Sequence, residues 1–148
     1  MEDLTDLYQE IILNHNKRPR NEGKIDPCPC QAEGYNPLCG DRMTVYVRED
    51  EGKIGEIKFV AEGCAISKAS ASIMTTKVGG LTRDEVHEKA REVIELLTAE
   101  EEPAIDPLEL GEIAALIGVR RFPARIKCAT LAWHALEDAL RRCDEAAG

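Results

Sequence analysis

The sequence predicts an α+β fold, a small antiparallel sheet with helices packed on one side, in a single domain spanning residues 1–148. Three patterns carry that expectation. An amphipathic stretch opens the chain, two alternating runs flank a charged, Gly-containing turn, and the rest reads as helices with cap signatures. A chain of 148 residues can bury roughly 68–70% of its unfolded surface in one core, so it needs no disulfide to stand.

The elements follow in order. Leu4, Leu7, Tyr8, Ile11, Ile12 and His15 recur at helical spacing, which predicts a helix over 4–15 with His15 as a structural histidine at the edge of its apolar stripe. Residues 23–41 are rich in Gly, Pro and Asn and read as irregular chain with a short strand near 31–34. Met43, Val45 and Val47 then alternate with Arg42, Thr44 and Tyr46, and after the turn at 48–53 a second run carries Ile54, Ile57 and Phe59: a half-buried hairpin. The small residues of 65–78 predict a closely packed helix whose first turn holds Cys64. Thr82 and Glu85 form a capping box with Leu81 stapled onto Val86, and the helix they start buries Val86, Ala90, Val93, Ile94 and Leu97. Asp106, Pro107 and Glu109 repeat the device, with Ile105 facing Leu110, for a short helix ending at Gly118. A final helix runs from about Pro123, with Ile126, Thr130, Trp133, Leu136, Leu140 and Cys143 inward.

Composition excludes several functions. A formal charge of −9 argues against a chain that holds nucleic acid phosphates, and with 32% charged residues no apolar run suits a membrane span. No apolar signal segment precedes the first helix, which points to a cytoplasmic, reduced protein. The stretch at 86–93 begins like a zinc-protease signature, but Arg91 stands where the second histidine belongs, leaving His87 and Glu88 as a helix face. Deaminase, phosphate-loop and nucleophile-elbow motifs are absent from the sequence.

The six cysteines divide into two groups. Cys28 and Cys30, separated by one proline, read as an oxidation-prone loop feature, and Cys143 as a core residue. Cys39, Cys64 and Cys128 sit at the ends of predicted elements that a hairpin and a packed helix can bring to one edge. Helix starts and the neighbouring Arg125 and Lys127 favour thiolates there. Three thiolates need a cation between them, and Asp41 supplies the fourth donor of a tetrahedral zinc. An oxygen among sulfurs marks an adjustable site. Long gaps between the cysteines leave the other possibility open: three buried, inert thiols and an aspartate that merely starts a strand.

The local words go further. "YNPLCGD", "EGCAISKASAS" and "FPARIKCATLAWHAL" resemble the U-type iron–sulfur cluster assembly proteins, the IscU and SufU family, from the first helix to the last. The resemblance implies a SufE/IscU-like α+β fold and a site at Cys39, Asp41, Cys64 and Cys128 that carries zinc at rest, receives sulfur from a cysteine desulfurase of the SufS or IscS type, or holds a transient iron–sulfur cluster. Two features point to the SufU-like branch. Lys127 stands where IscU proteins place a histidine before the third cysteine, and "PAIDPLELGEIAALIGVRR" is similar to the SufU-type insertion. The expectation is a zinc-dependent sulfurtransferase partner of a desulfurase, not a stand-alone enzyme, with Cys39 as the acceptor and downstream iron–sulfur assembly or recipient proteins as further partners. The alternative is an interaction module whose zinc is purely structural.

Overall fold

The computed structural model describes the backbone of residues 2–27 and 30–147 and the side chains of 6–27 and 30–143. Helix α1 (Glu2–Lys17) leads into an antiparallel sheet of order β1-β2-β3, formed by β1 (Cys30–Asn36), β2 (Asp41–Asp50) and β3 (Lys53–Glu62). Ala32, Val45 and Phe59 share one rung, and all three are buried. With period-2 alternation the same face collects Met43, Val47 and Ile57. Tyr46, on the other face of β2, is buried as well, so this strand is not half-buried as its alternation implies. Glu51 and Gly52 make the β2–β3 turn with φ of 54° and 80°, the left-handed pair whose twist suits a two-residue hairpin loop.

Helix α2 (Ala65–Val78) is built of small residues because it runs through the core. Ser70 there donates to the backbone oxygen of Ala129 at 2.6 Å and accepts from the Trp133 indole N–H at 3.2 Å. That satisfies two buried polar groups of the last helix, α6 (Ile126–Ala147). Helix α6 lies along β1 and β2 and buries Trp133, Leu136 and Leu140. It begins at Ile126, after a 3₁₀ turn at Pro123–Arg125, rather than at Pro123.

Helix α3 (Arg83–Thr98) starts where the capping box places it: Thr82 Oγ1 accepts from Glu85 N–H, and the Glu85 carboxylate accepts from Thr82 N–H. Val86, Ala90, Val93 and Leu97 are buried, and Ile94 is partly so. His87 is not simply exposed, since it reaches Glu137 of α6 at 3.5 Å. The Thr82 backbone bond holds the exposed Glu85 carboxyl below its ordinary range. A depressed folded value means this support is present at neutral pH and fades as pH falls through that value. Thr82→Ala is expected to cost about 1 kcal/mol in a urea unfolding titration at neutral pH.

The second capped segment departs from expectation. Asp106 caps through Leu108 N–H, but α4 (Pro107–Leu110) lasts one turn, because Gly111 turns the chain at φ 59° before α5 (Ile113–Ile117). Leu108 is 95% exposed. Glu112, at the break, instead accepts from buried His15 at 2.9 Å, whose Nδ1 meets Ser72 Oγ at 2.7 Å. The Glu112 carboxylate can only accept, so Nε2 carries the proton of that bond, while Ser72 Oγ also accepts from Arg20 N–H at 2.8 Å. Serine, histidine and carboxylate in a row name a hydrolytic triad, yet Ser72 and His15 are sealed in the core. His15 is the structural histidine its position implies, tying the segment at 103–121 to α1 and α2.

Cys30 and Cys143 form a disulfide with their Cα atoms 4.7 Å apart. This corrects the reading of Cys30 as a loop residue and Cys143 as a simple core side chain in a fully reduced chain. Cys30 opens the inward-facing series of β1, so it enters the same core as the end of α6. Cys28 lies outside the described residues.

Candidate metal centre

Asn36 and Asp41 are the last pair of the β1–β2 ladder, and the four-residue turn between them carries Cys39. Cys39 is therefore on a hairpin tip rather than in a strand, half-buried, with its N–H donating to Asn36 O at 3.3 Å. At the end of β3, Gly63 leads to Cys64, which is the N-cap of α2 rather than part of its first turn; its Sγ accepts from Ser67 N–H at 3.4 Å. Cys128 enters on the first turn of α6 and is buried.

These elements converge, as the position of the cysteines at the ends of elements suggested. Cys128 Sγ lies 3.2 Å from Cys39 Sγ, and these two sulfurs and an Asp41 oxygen all fall within 4.8 Å of one another. Cys64 joins through Asp41: its N–H donates to Oδ1 at 2.7 Å and its Sγ to Oδ2 at 3.7 Å. Asp41 is fully buried. It reaches Cys64 across Gly63, where a Cβ would stand 2.7 Å from Asp41 Cα and closer still to Oδ1. At φ +131° the backbone there also disfavours any side chain.

At Cys128 the charge state differs from the thiolate expected. Burial pushes the Cys128 thiol far above its ordinary range, and hydrogen bonds with Asp41, Cys39 and Cys64 push it the same way. Burial outweighs the helix terminus and nearby cations, so without a metal Cys128 is a neutral thiol. Arg125 Nη1 donates toward Cys39 Sγ at 3.6 Å, and its charge is held firmly by Cys128 and Cys39. Lys127, the other cation singled out, is exposed.

Three sulfurs and one carboxylate, converging from separate elements, suit a tetrahedral cation of borderline softness such as zinc. The donors fit. On the Cys39 turn Leu38 is 77% exposed, and Tyr35, two residues before the turn, is 57% exposed. Arg42 lies over the Tyr35 ring, 5.2 Å from its centroid.

One residue here was not anticipated. Asn36 is buried, its Nδ2–H donates to Cys128 Sγ at 3.5 Å, and its Oδ1 accepts from Leu38 N–H at 3.3 Å. Its signal is present in the sequence: an Asn before Pro, favouring an Asx turn, on the inward parity of β1 with Cys30 and Ala32.

The same architecture recurs in known proteins. The iron–sulfur cluster assembly scaffold protein IscU of Streptococcus pyogenes is 42% identical over 139 residues, covering 94% of this chain and 86% of that one. The zinc-dependent sulfurtransferase SufU of Bacillus subtilis is 40% identical over 135 residues, covering 91% and 90%. Among solved structures, the SUF-system scaffold protein of Fervidobacterium islandicum superposes with a TM-score of 0.80 at 36% identity, covering 88% of this chain and 94% of that one. A NifU-like N-terminal protein from Brucella abortus gives 0.79 at 28%, covering 96% and 97%. The family model for the NifU-like N-terminal domain matches residues 7–129, a span that takes in the Cys39 turn, the Cys64 cap and the start of α6, and the chain belongs to that family.

Proposed function

We propose that this protein is an iron–sulfur biogenesis factor that accepts sulfur on Cys39 from a cysteine desulfurase and holds zinc at rest through Cys39, Asp41, Cys64 and Cys128. The observation that carries it is the convergence of Cys39, Cys128 and Asp41 within 4.8 Å, with Cys64 bonded to Asp41. Bound zinc would neutralise the clustered sulfurs and favour their deprotonated form.

The chain's own residues divide the work by access. Cys39 is the sulfur on a turn, between Pro37 and Gly40, while Cys128 is enclosed and Cys64 is fixed by its helix. In the transfer, the Cys39 thiolate attacks the outer sulfur of the desulfurase persulfide. A sulfur–sulfur bond forms on Cys39, the bond to the enzyme's cysteine breaks, and that cysteine leaves as a thiolate, with no net oxidation. Arg125, within reach of Cys39 Sγ, stabilises the sulfur anions on either side of the step. Leu38 on the Cys39 turn and Tyr35 just before it supply exposed apolar surface for the desulfurase to cover. Among the described residues no helix is long and apolar enough to cross a membrane.

The test is metal analysis of the isolated protein followed by incubation with a desulfurase and cysteine. One zinc per chain and a persulfide mapped to Cys39 by mass spectrometry are expected. A brown chromophore without persulfide would favour an assembling scaffold whose cargo is the cluster, and persulfide chiefly on Cys128 would reassign the acceptor. A purely structural zinc predicts unfolding on chelation. A chain with Phe59, Trp133 and Leu140 in its own core is expected to stay folded.

A further inference from the structure

The Asn36 side chain faces two ways. Its amide N–H points at the sulfur of Cys128, and its carbonyl oxygen holds the backbone of Leu38, one residue before Cys39. Its own backbone oxygen accepts from Cys39 N–H. Across the ladder Asp41 does the corresponding work for Cys64, through both carboxylate oxygens. One strand rung thus touches all three cysteines, and Asn36 is the half that donates.

We propose that Asn36 is a positioning residue of the sulfur site, its amide N–H directed at Cys128 Sγ to hold that sulfur in the metal shell and draw electron density from it. The inference rests on the zinc reading above. The contact is made by a buried amide to a buried sulfur, and a hydrogen bond to a sulfur ligand favours its anion and fixes its direction without adding charge. Donors outside the shell that orient first ligands in this way typically carry 10–100-fold in metal affinity. An N–H on the sulfur also lowers its nucleophilicity. Asn36 therefore biases the pair of sulfurs 3.2 Å apart: Cys128 is held as ligand and Cys39 is left as the attacking group.

Asn36→Asp separates the donor from the turn. It keeps size and the acceptor for Leu38 N–H, but puts an oxygen where the N–H met Cys128. Asn36→Ser is the second variant, keeping a short acceptor for the turn and too short to reach the sulfur. Both are loaded with cobalt(II), competed with a chelator, and compared with the native chain by the sulfur-to-metal charge-transfer band. Expected are a 10–100-fold loss of cobalt and zinc affinity in both variants and a shift of the band to longer wavelength, with chelator-treated proteins melting together. Variants with native affinity and an unmoved band would overturn the inference and leave the metal reading standing. A native chain that takes up no metal would overturn both.

Discussion

Cys39→Ala is expected to accumulate no persulfide when offered a desulfurase and cysteine, while its chelator-treated form melts like the chelator-treated native chain. The side chain removed is a half-buried sulfur on a turn and contributes little to the core, so its loss is felt in chemistry, not in packing. Cys128→Ala is the control. That variant loses a buried ligand beside Cys39, so zinc affinity falls, but the attacking thiol and Arg125 both remain and some persulfide on Cys39 is expected. Persulfide on Cys39→Ala at the native level, measured by mass spectrometry of the intact chain, would remove Cys39 from its proposed role.

Reduction of the Cys30–Cys143 bond is expected to cost more stability than any other single change described. The two residues are 113 apart in sequence, and a crosslink closing a loop of that size restrains the unfolded chain by about 4.7 kcal/mol in the chain-entropy treatment. For a domain of this length that corresponds to a fall of roughly 10–20 °C in melting temperature. A melt with and without a phosphine reductant on zinc-free protein reads it directly. Cys143→Ala should start low and show no response to reductant. Alkylation in denaturant without prior reduction should label the site cysteines and leave Cys30 and Cys143 unlabelled. A native chain whose midpoint ignores the reductant would show that the bond adds nothing.

What could be read ahead of the structure was local. The Thr82–Glu85 box, the hairpin and the inner face of the last helix each depend on residues a few positions apart, and each formed. The helix broken at Gly111 was missed because Asp106, Pro107 and Glu109 announce a start, while the partner that recruits Glu112, His15, is distant in sequence. Cys30 and Cys143 escaped for the same reason. At the site, Cys39, Asp41, Cys64 and Cys128 were legible as residue types at element ends, and the structure brings Cys39, Asp41 and Cys128 within 4.8 Å of one another with Cys64 bonded to Asp41. The protonation of Cys128 was not. A cysteine followed along the chain shows its neighbours Arg125 and Lys127, whereas its burial depends on the whole fold, and for Cys128 burial wins.

Gly63 has a consequence for how changes in this site are scored. Position 63 donates nothing and bonds to nothing in the proposed shell, yet the space a methyl group would occupy is already taken by Asp41. An alanine there would push the carboxylate away from Cys64 while leaving all four donors in the sequence. In a mutational screen that asks only whether metal is kept, position 63 would score alongside position 41, and a catalogue built from ligating atoms would have no row for it. Vacancy at one Cα is thus a heritable part of the site, specified as firmly as any sulfur.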